Sequence, residues 1–306
     1  MRINKIAPVV IIFSLTTCAF AQDLQKLVTD LAAQHKGRVA FYAKDLKTGA
    51  TVAIDQDVPV TTASVIKLPI MVEAMSEVKA GTHRLDERLV LTKENQVPGS
   101  GVFTLMQPGL NPTLQDAITM MIDQSDNTAT NMVIDVIGIA AVNKRIAAMG
   151  LKDTYLYKKV FMPPTGPMPP DQKKFGLGKT TAREMGEVME SIERCELGDQ
   201  ALCKIMLDIL KNQNVRTMIP RYLESDDTTE SPSAIANKTG SLDEVRNDVG
   251  IVYTKRGPIL ISAFTYDNQD HGWSVDNSAE ILVARMAKTV VDAWTKNPPV
   301  VVHSKQ

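Results

Sequence analysis

The run Pro59-Val-Thr-Thr-Ala-Ser64-Val-Ile-Lys67-Leu-Pro-Ile-Met-Val-Glu-Ala-Met-Ser-Glu-Val78 holds the key to this chain. Apolar residues recur at helical spacing from Val65 to Val78, so a helix is predicted there with Ser64 in its first turn. First-turn N–H groups have no partner inside the helix, and the positive helix end favours a developing alkoxide on that serine. Lys67 follows one turn later and faces the same way, which would set its amine beside the Ser64 hydroxyl. The same S-x-x-K spacing recurs at Ser76–Lys79, deep in the helix among Glu73 and Glu77, and reads as a solvated face.

Outward from this helix, the texture changes on both sides. Upstream, a helix near Leu24–His35 precedes two strands, Arg38–Asp45 and Ala50–Asp55, joined by the hairpin signal Leu46-Lys-Thr-Gly49. Downstream, Leu114–Ile122, Thr128–Ile137 and Ala140–Met149 are helical, with Thr113 and Thr128 as N-caps and Gly138 and Gly150 at the matching ends. Prolines forbid regular structure across Phe161–Pro170, so the chain crosses the surface there as a constrained loop. Helices resume at Thr181–Arg194 and Gln200–Asn212, strands at Ala234–Lys238, Asp248–Thr254 and Ile259–Tyr266, and a last helix spans about Val275–Trp294. The order implies an α/β fold: an antiparallel sheet flanked by N- and C-terminal helices, from about 22–60 and 215–297, plus an all-helical half over about 61–214. No linker divides residues 22–306, which read as a single domain.

The first 21 residues read as a signal peptide, with Arg2 and Lys5, an apolar stretch from Ile6 to Leu15, and the cleavage site Ala19-Phe20-Ala21. A periplasmic or secreted location follows; lipidation at Cys18 is the weaker rival, because Thr17 is large for that role. Cleavage removes two of the 34 basic residues and none of the 35 acidic ones, leaving 285 residues at net charge −3. That balance argues against a nucleic-acid partner, and no later apolar run is long enough for a transmembrane segment. Cys195 and Cys203 could bridge in an oxidising compartment, or remain two small hydrophobes. His35, His83, His271 and His303 show no metal-ligand spacing, so neither metal nor cofactor is expected; the chain reads as a monomer. Met120, Met121, Met132 and Met149 follow helical spacing and belong in the core.

Two further motifs complete the pattern: Ser125-Asp126-Asn127 and Lys238-Thr239-Gly240. A second K-T-G at Lys47–Gly49 sits in the hairpin, ahead of the candidate nucleophile. The set Ser64-x-x-Lys67, Ser125-Asp-Asn127, Lys238-Thr-Gly240, in that order, resembles the signature of class A β-lactamases and penicillin-binding proteins. The run Met121-Ile-Asp-Gln-Ser-Asp-Asn-Thr-Ala-Thr-Asn131, and Val142-Asn143 with Met149-Gly150-Leu151, are similar to the same family, and the resemblance covers roughly Leu24 to Asn297. It implies an acyl-enzyme at Ser64, since a serine hydroxyl attacks only once its proton is taken. Lys67, kept neutral by burial beside Lys238, would take that proton; Ser125 would relay one to the leaving nitrogen. Lys238 would attract the substrate carboxylate, with Thr239, Gly240 and Ser241 alongside. Backbone N–H groups of Ser64 and Ser241 would form the oxyanion hole, Asn127 would meet the substrate amide, and Asp126 would brace the motif.

One loop departs from the family. Class A enzymes place a glutamate there to activate the deacylating water, yet Leu151–Lys179 contains none. Its only acids are Asp153, too early, and Asp171, beyond the prolines, which would have to fold back to serve. Tyr157-Lys-Lys-Val-Phe161 stands where the acid belongs, and Lys179 replaces the aspartate that usually pins the loop by an ion pair. Acylation is therefore expected to survive and deacylation to be weak or non-standard. The leading expectation is a β-lactamase-like serine hydrolase acting on β-lactams. The alternatives are a D,D-carboxypeptidase or transpeptidase on D-Ala-D-Ala peptides, a non-catalytic envelope binding protein, and an esterase of the same fold. Weaker features are the loop Val97–Phe103, where Phe103 reads either as a gate or as a core aromatic, and Arg216, Arg221 and Arg246 as carboxylate anchors.

Overall fold

Period-two alternation in the first strand sends Val39, Phe41 and Ala43 to one face of a sheet and Ala40 and Tyr42 to the other, and both faces are covered. The computed structural model describes residues 13–223 and 234–296, with side chains from residue 23 onward. The start of the expected leader, the side chain of Cys18, and His303 lie outside that description.

In chain order the helices are α1 (Phe13–Ala33), α2 (Lys67–Ala80), α3 (Leu114–Asp123), α4 (Asn127–Ile137), α5 (Ile139–Ala148), α6 (Gln172–Phe175), α7 (Ala182–Glu193), α8 (Gln200–Lys211) and α9 (Ser278–Lys296). The strands are β1 (Arg38–Asp45), β2 (Thr51–Ile54), β3 (Val60–Thr61), β4 (Tyr155–Leu156), β5 (Gly178–Thr180), β6 (Ile235–Leu242), β7 (Val245–Thr254) and β8 (Gly257–Tyr266). The main sheet runs β2-β1-β8-β7-β6, antiparallel throughout. One face packs on α1 and α9 through Leu24, Val28, Val283, Val290 and Trp294; the other faces the helices between α2 and α8. Among the described residues no helix is long and apolar enough to cross a membrane.

Helix α2 is buried from Lys67 to Met75 on every side, which is why its sequence is apolar without a polar stripe. The second S-x-x-K and the second K-T-G both fall outside the site. Ser76 accepts from Arg145 and Lys79 donates to Leu197, while Asp45 Oδ1 accepts from Lys47 N (2.9 Å) and Thr48 N (3.0 Å) in the hairpin turn.

Three expectations need correction. Asp126, not Thr128, caps α4, accepting from Ala129 N at 2.8 Å; the Thr128 hydroxyl faces Val97 instead. Strand β6 continues past Lys238 to Leu242, because Thr239–Leu242 pair with β7 across the hairpin. Helix α7 was assigned by sequence to the helical half, yet it lies on the sheet: a Cβ on Gly186 would come 3.1 Å from Tyr42, and Glu190 pairs with Lys44 at 2.9 Å. A small sheet β3-β5-β4 also ties the segment before Ser64 to the proline-rich loop. Its strands have two or three residues each, too few for alternation to reveal. Cys195 and Cys203 are disulfide-bonded across the turn between α7 and α8.

Candidate active site

The turn that carries Ser64 is a short 3-10 segment, Ala63–Ile66, and α2 begins at Lys67. Ala63 sits in the left-handed region at φ 43°, a conformation uncommon for a residue with a Cβ. The turn is held from two sides. Thr62 N and Oγ1 both donate to Gly178 O at 3.0 Å, and the buried amide of Asn247 donates to Thr61 O (3.0 Å) and Thr62 O (3.2 Å). Edge strand β6 presses against the same turn. A Cβ on Gly240 would lie 2.8 Å from Ser64 N and 2.9 Å from both Thr62 O and Val65 N, so only glycine permits this approach. Ser241 follows on the same strand, paired with Arg246 of β7.

Ser125 joins the three motifs. Its backbone is left-handed at φ 51°, and this presents both its carbonyl and its hydroxyl to the buried amines. Lys67 Nζ donates to Ser125 O at 2.7 Å, Ser125 Oγ at 3.2 Å and Asn127 Oδ1 at 3.0 Å. Lys238 Nζ donates to Ser125 Oγ at 3.1 Å and Thr239 O at 2.7 Å. The Ser125 hydroxyl thus lies between two lysines, where a proton can pass either way. The sequence reading sets Lys67 beside the Ser64 hydroxyl; in the structure the hydrogen bonds of its amine go to Ser125 and Asn127, across to the start of α4.

Burial dominates the electrostatics. Desolvation, then the charge of Lys238, holds Lys67 well below the ordinary lysine range, with Asp126 opposing. Lys238 is lowered to about 7 by burial, against the attraction of Asp248 and Asp123. Asp248 is itself pushed up to about 6 by burial, while Asn237, Ile219 N–H and Lys238 favour its charge. Its carboxyl accepts from Asn237 Nδ2 (2.9 Å) and Ile219 N (2.9 Å). Asn247, Asp248 and Asn237 are support residues that the sequence reading missed. Their one signal was polar residues inside strands that are otherwise apolar.

Asp126 braces more than its own turn. Beyond capping α4, it accepts from Val102 N (2.7 Å) and Phe103 N (2.8 Å), clamping the 97–103 loop. Asn127 completes that wall by donating to Pro98 O at 3.1 Å. Phe103 is buried in the core, so the gate reading falls. Two of the three candidate anchors also fall. Arg246 is fully buried, bonded to Leu242 O, Val245 O and Gly272 O, with Trp273 stacked 4.5 Å away. Arg221 holds Val275 O and Asp276. Arg216 keeps a buried Nη2 with no hydrogen-bond partner.

The rebuilt loop is pinned by side chains that mimic backbone. Asn131 donates to Val160 O (3.0 Å) and accepts from Val160 N (2.9 Å); Asn143 does the same with Leu156 at 2.8 and 2.9 Å. Asp171 does not turn toward the site. It accepts from Lys179 Nζ and Tyr157 Oη, each at 2.8 Å, and these bonds hold it below the usual carboxylate range. An ion pair does join Lys179 to this loop, through Asp171.

Fold and site together define a serine hydrolase. The chain belongs to the β-lactamase enzyme family, whose description matches residues 19–294. Its structure is similar to a β-lactamase from Sphaerobacter thermophilus, with TM-score 0.78 and 29% identity over 89% of this chain and 98% of that one. It is also similar to PBP-A, with TM-score 0.76 and 26% identity over 90% and 96%; a variant of PBP-A has been solved as an acyl-enzyme complex with penicillin-G. Among curated proteins, the β-lactamase regulatory protein BlaB of Streptomyces cacaoi is 24% identical over 124 residues, and the match spans 40% of that relative's length.

Proposed function

We propose that this protein is an exported serine hydrolase that is acylated at Ser64 by β-lactams and releases the acyl group slowly. The position of Ser125 Oγ, 3.2 Å from Lys67 Nζ and 3.1 Å from Lys238 Nζ, carries the reading. Neutral Lys67 takes the proton from Ser64 as its oxygen attacks the lactam carbonyl. The oxyanion forms against the N–H groups of Ser64 and Ser241, where one such donor is worth about 3–4 kcal/mol. Ser125 hands a proton to the departing ring nitrogen as the C–N bond breaks, and Lys67 restores it. Lys238, Thr239 and Ser241 hold the substrate carboxylate, and Asn127 its amide.

Slow release is supported by the loop. Of its two acids, Asp171 is committed to Lys179 and Tyr157, and Asp153 lies ahead of the stretch facing the site. Losing a positioned general base typically slows a step about 10²–10⁴-fold. The same observation favours a second reading for the natural substrate, a D-Ala-D-Ala peptide processed by carboxypeptidase or transpeptidase chemistry.

Intact mass of the mature protein, followed from seconds to hours with benzylpenicillin, tests this. An adduct that persists and vanishes in Ser64→Ala supports it. Rapid penicillin turnover without a standing adduct would overturn slow release. No adduct and no turnover would leave a non-catalytic envelope binding protein.

A further inference from the structure

Phe161 occupies an unusual place for a large apolar side chain. It is 61% exposed, at the head of the proline-rich loop, and its backbone is left-handed at φ 55°. Bulky residues adopt that conformation only when the surroundings impose it, and such strain clusters at functional sites. Here the imposing contact is identifiable. The preceding residue, Val160, is locked through both its N–H and its C=O by Asn131, which is fully buried in α4. Asn131 lies four residues after Asn127, on the same face of that helix. One helix face therefore mounts both the motif asparagine and the segment that presents Phe161.

The two side chains meet at Gly99. A Cβ built there would lie 2.6 Å from Asn127 Nδ2 and 3.0 Å from Phe161 Cε2. Gly99, at φ 90°, leaves the space in which amide and ring come together. An aromatic ring thus lies near the Asn127 amide, with most of its surface exposed.

We infer that Phe161 is a substrate-contacting specificity residue, its ring forming an apolar wall for the hydrophobic substituent on the acyl side of the substrate, next to the amide that Asn127 engages. The inference rests on the Ser64 acylation reading. It assigns the preferred substrate class as one with an aromatic or branched aliphatic group at that end. Burial of the ring by that group then returns what the exposed aromatic withholds in the free protein.

The test compares second-order acylation rates of the mature protein with benzylpenicillin, which carries a phenylacetyl substituent, and 6-aminopenicillanic acid, which carries none. In wild type the ratio should favour benzylpenicillin. In Phe161→Ala the ratio should fall about tenfold, within the range that an apolar contact supplies to specificity. Phe161→Gly, which suits the left-handed backbone and guards against a folding effect, should lower it equally, and Phe161→Leu should restore most of it. A ratio unchanged in the Ala and Gly variants overturns the inference, in whichever direction the two rates move together. Failure of wild type to form either adduct removes the Ser64 reading, and this inference with it; adducts without a side-chain preference remove the inference alone.

Discussion

Two regions lean on the same helix and are built on opposite principles. At the N-terminus of α4, Ser125, Asp126 and Asn127 tie together two fully buried lysines, a strained serine and the edge of the main sheet. One turn later the same helix receives the 156–179 segment, held by Asn131 of α4 and Asn143 of α5, which copy backbone pairing, and by a partly exposed ion pair. Burying a charge without full compensation is expensive, so the first region is a place where fold stability is set against chemistry. Under the proposed function, the difference would make acylation and release physically separable: the groups assigned to acylation are embedded in the core, and the step of release falls to a loop.

The comparison breaks most readily at the nucleophile. Ser64→Ala should cut acylation by roughly 10⁴-fold or more, and Lys67→Met by roughly 10²–10⁴-fold, both measured as adduct formation in rapid-quench intact mass. If Lys67→Met acylates normally, the buried amine is not the base and the first region has been misread.

A pH profile sharpens the same point. Lys238, lowered to about 7, is charged below that pH and neutral above it. Its pull on a substrate carboxylate should therefore fade as pH rises through about 7, and the second-order acylation rate, which reports the free enzyme, should fall with it. Lys238→Arg stays charged throughout and should lose that falling limb. A limb that persists unchanged in the arginine variant assigns it to another group.

Smaller effects separate stability from activity. Reducing the Cys195–Cys203 bridge, or replacing both by serine, should lower stability by about 2–3 kcal/mol through unfolded-state entropy. Denaturant melts check this, and acylation should be unaffected, since the bridge lies between α7 and α8. Lys179→Met should cost below about 1 kcal/mol, as expected for a partly exposed pair, but should speed amide exchange across 157–176. Unchanged exchange there would mean that Asn131 and Asn143 alone hold the loop.

Much of the first region was legible in advance, because Ser64–Lys67, Ser125–Asn127 and Lys238–Gly240 are short motifs in or at the start of elements whose periodicity the sequence displays. The loop was legible only by what it lacks. A missing glutamate can be read from sequence, but the ion pair between Asp171 and Lys179 joins residues that face each other only once β5 has paired with β3 and β4. Misplacing the cap of α4 at Thr128 has a plain cause: both residues are good caps, and the clamp on Val102 and Phe103 that selects Asp126 comes from another loop.

The sequence by itself determined the order of helices and strands, the serine at a helix start, the two motif lysines and the absence of a loop glutamate, since each is a matter of local periodicity or residue identity. Only the tertiary structure decided where the Lys67 amine points, that Gly240 must be bare against the Ser64 turn, that Asp248 and Asn247 support the site from β7, and that Phe161 stands beside Asn127. These contacts join residues far apart in the chain, and they are fixed by burial and close approach, quantities that exist only after the chain has packed.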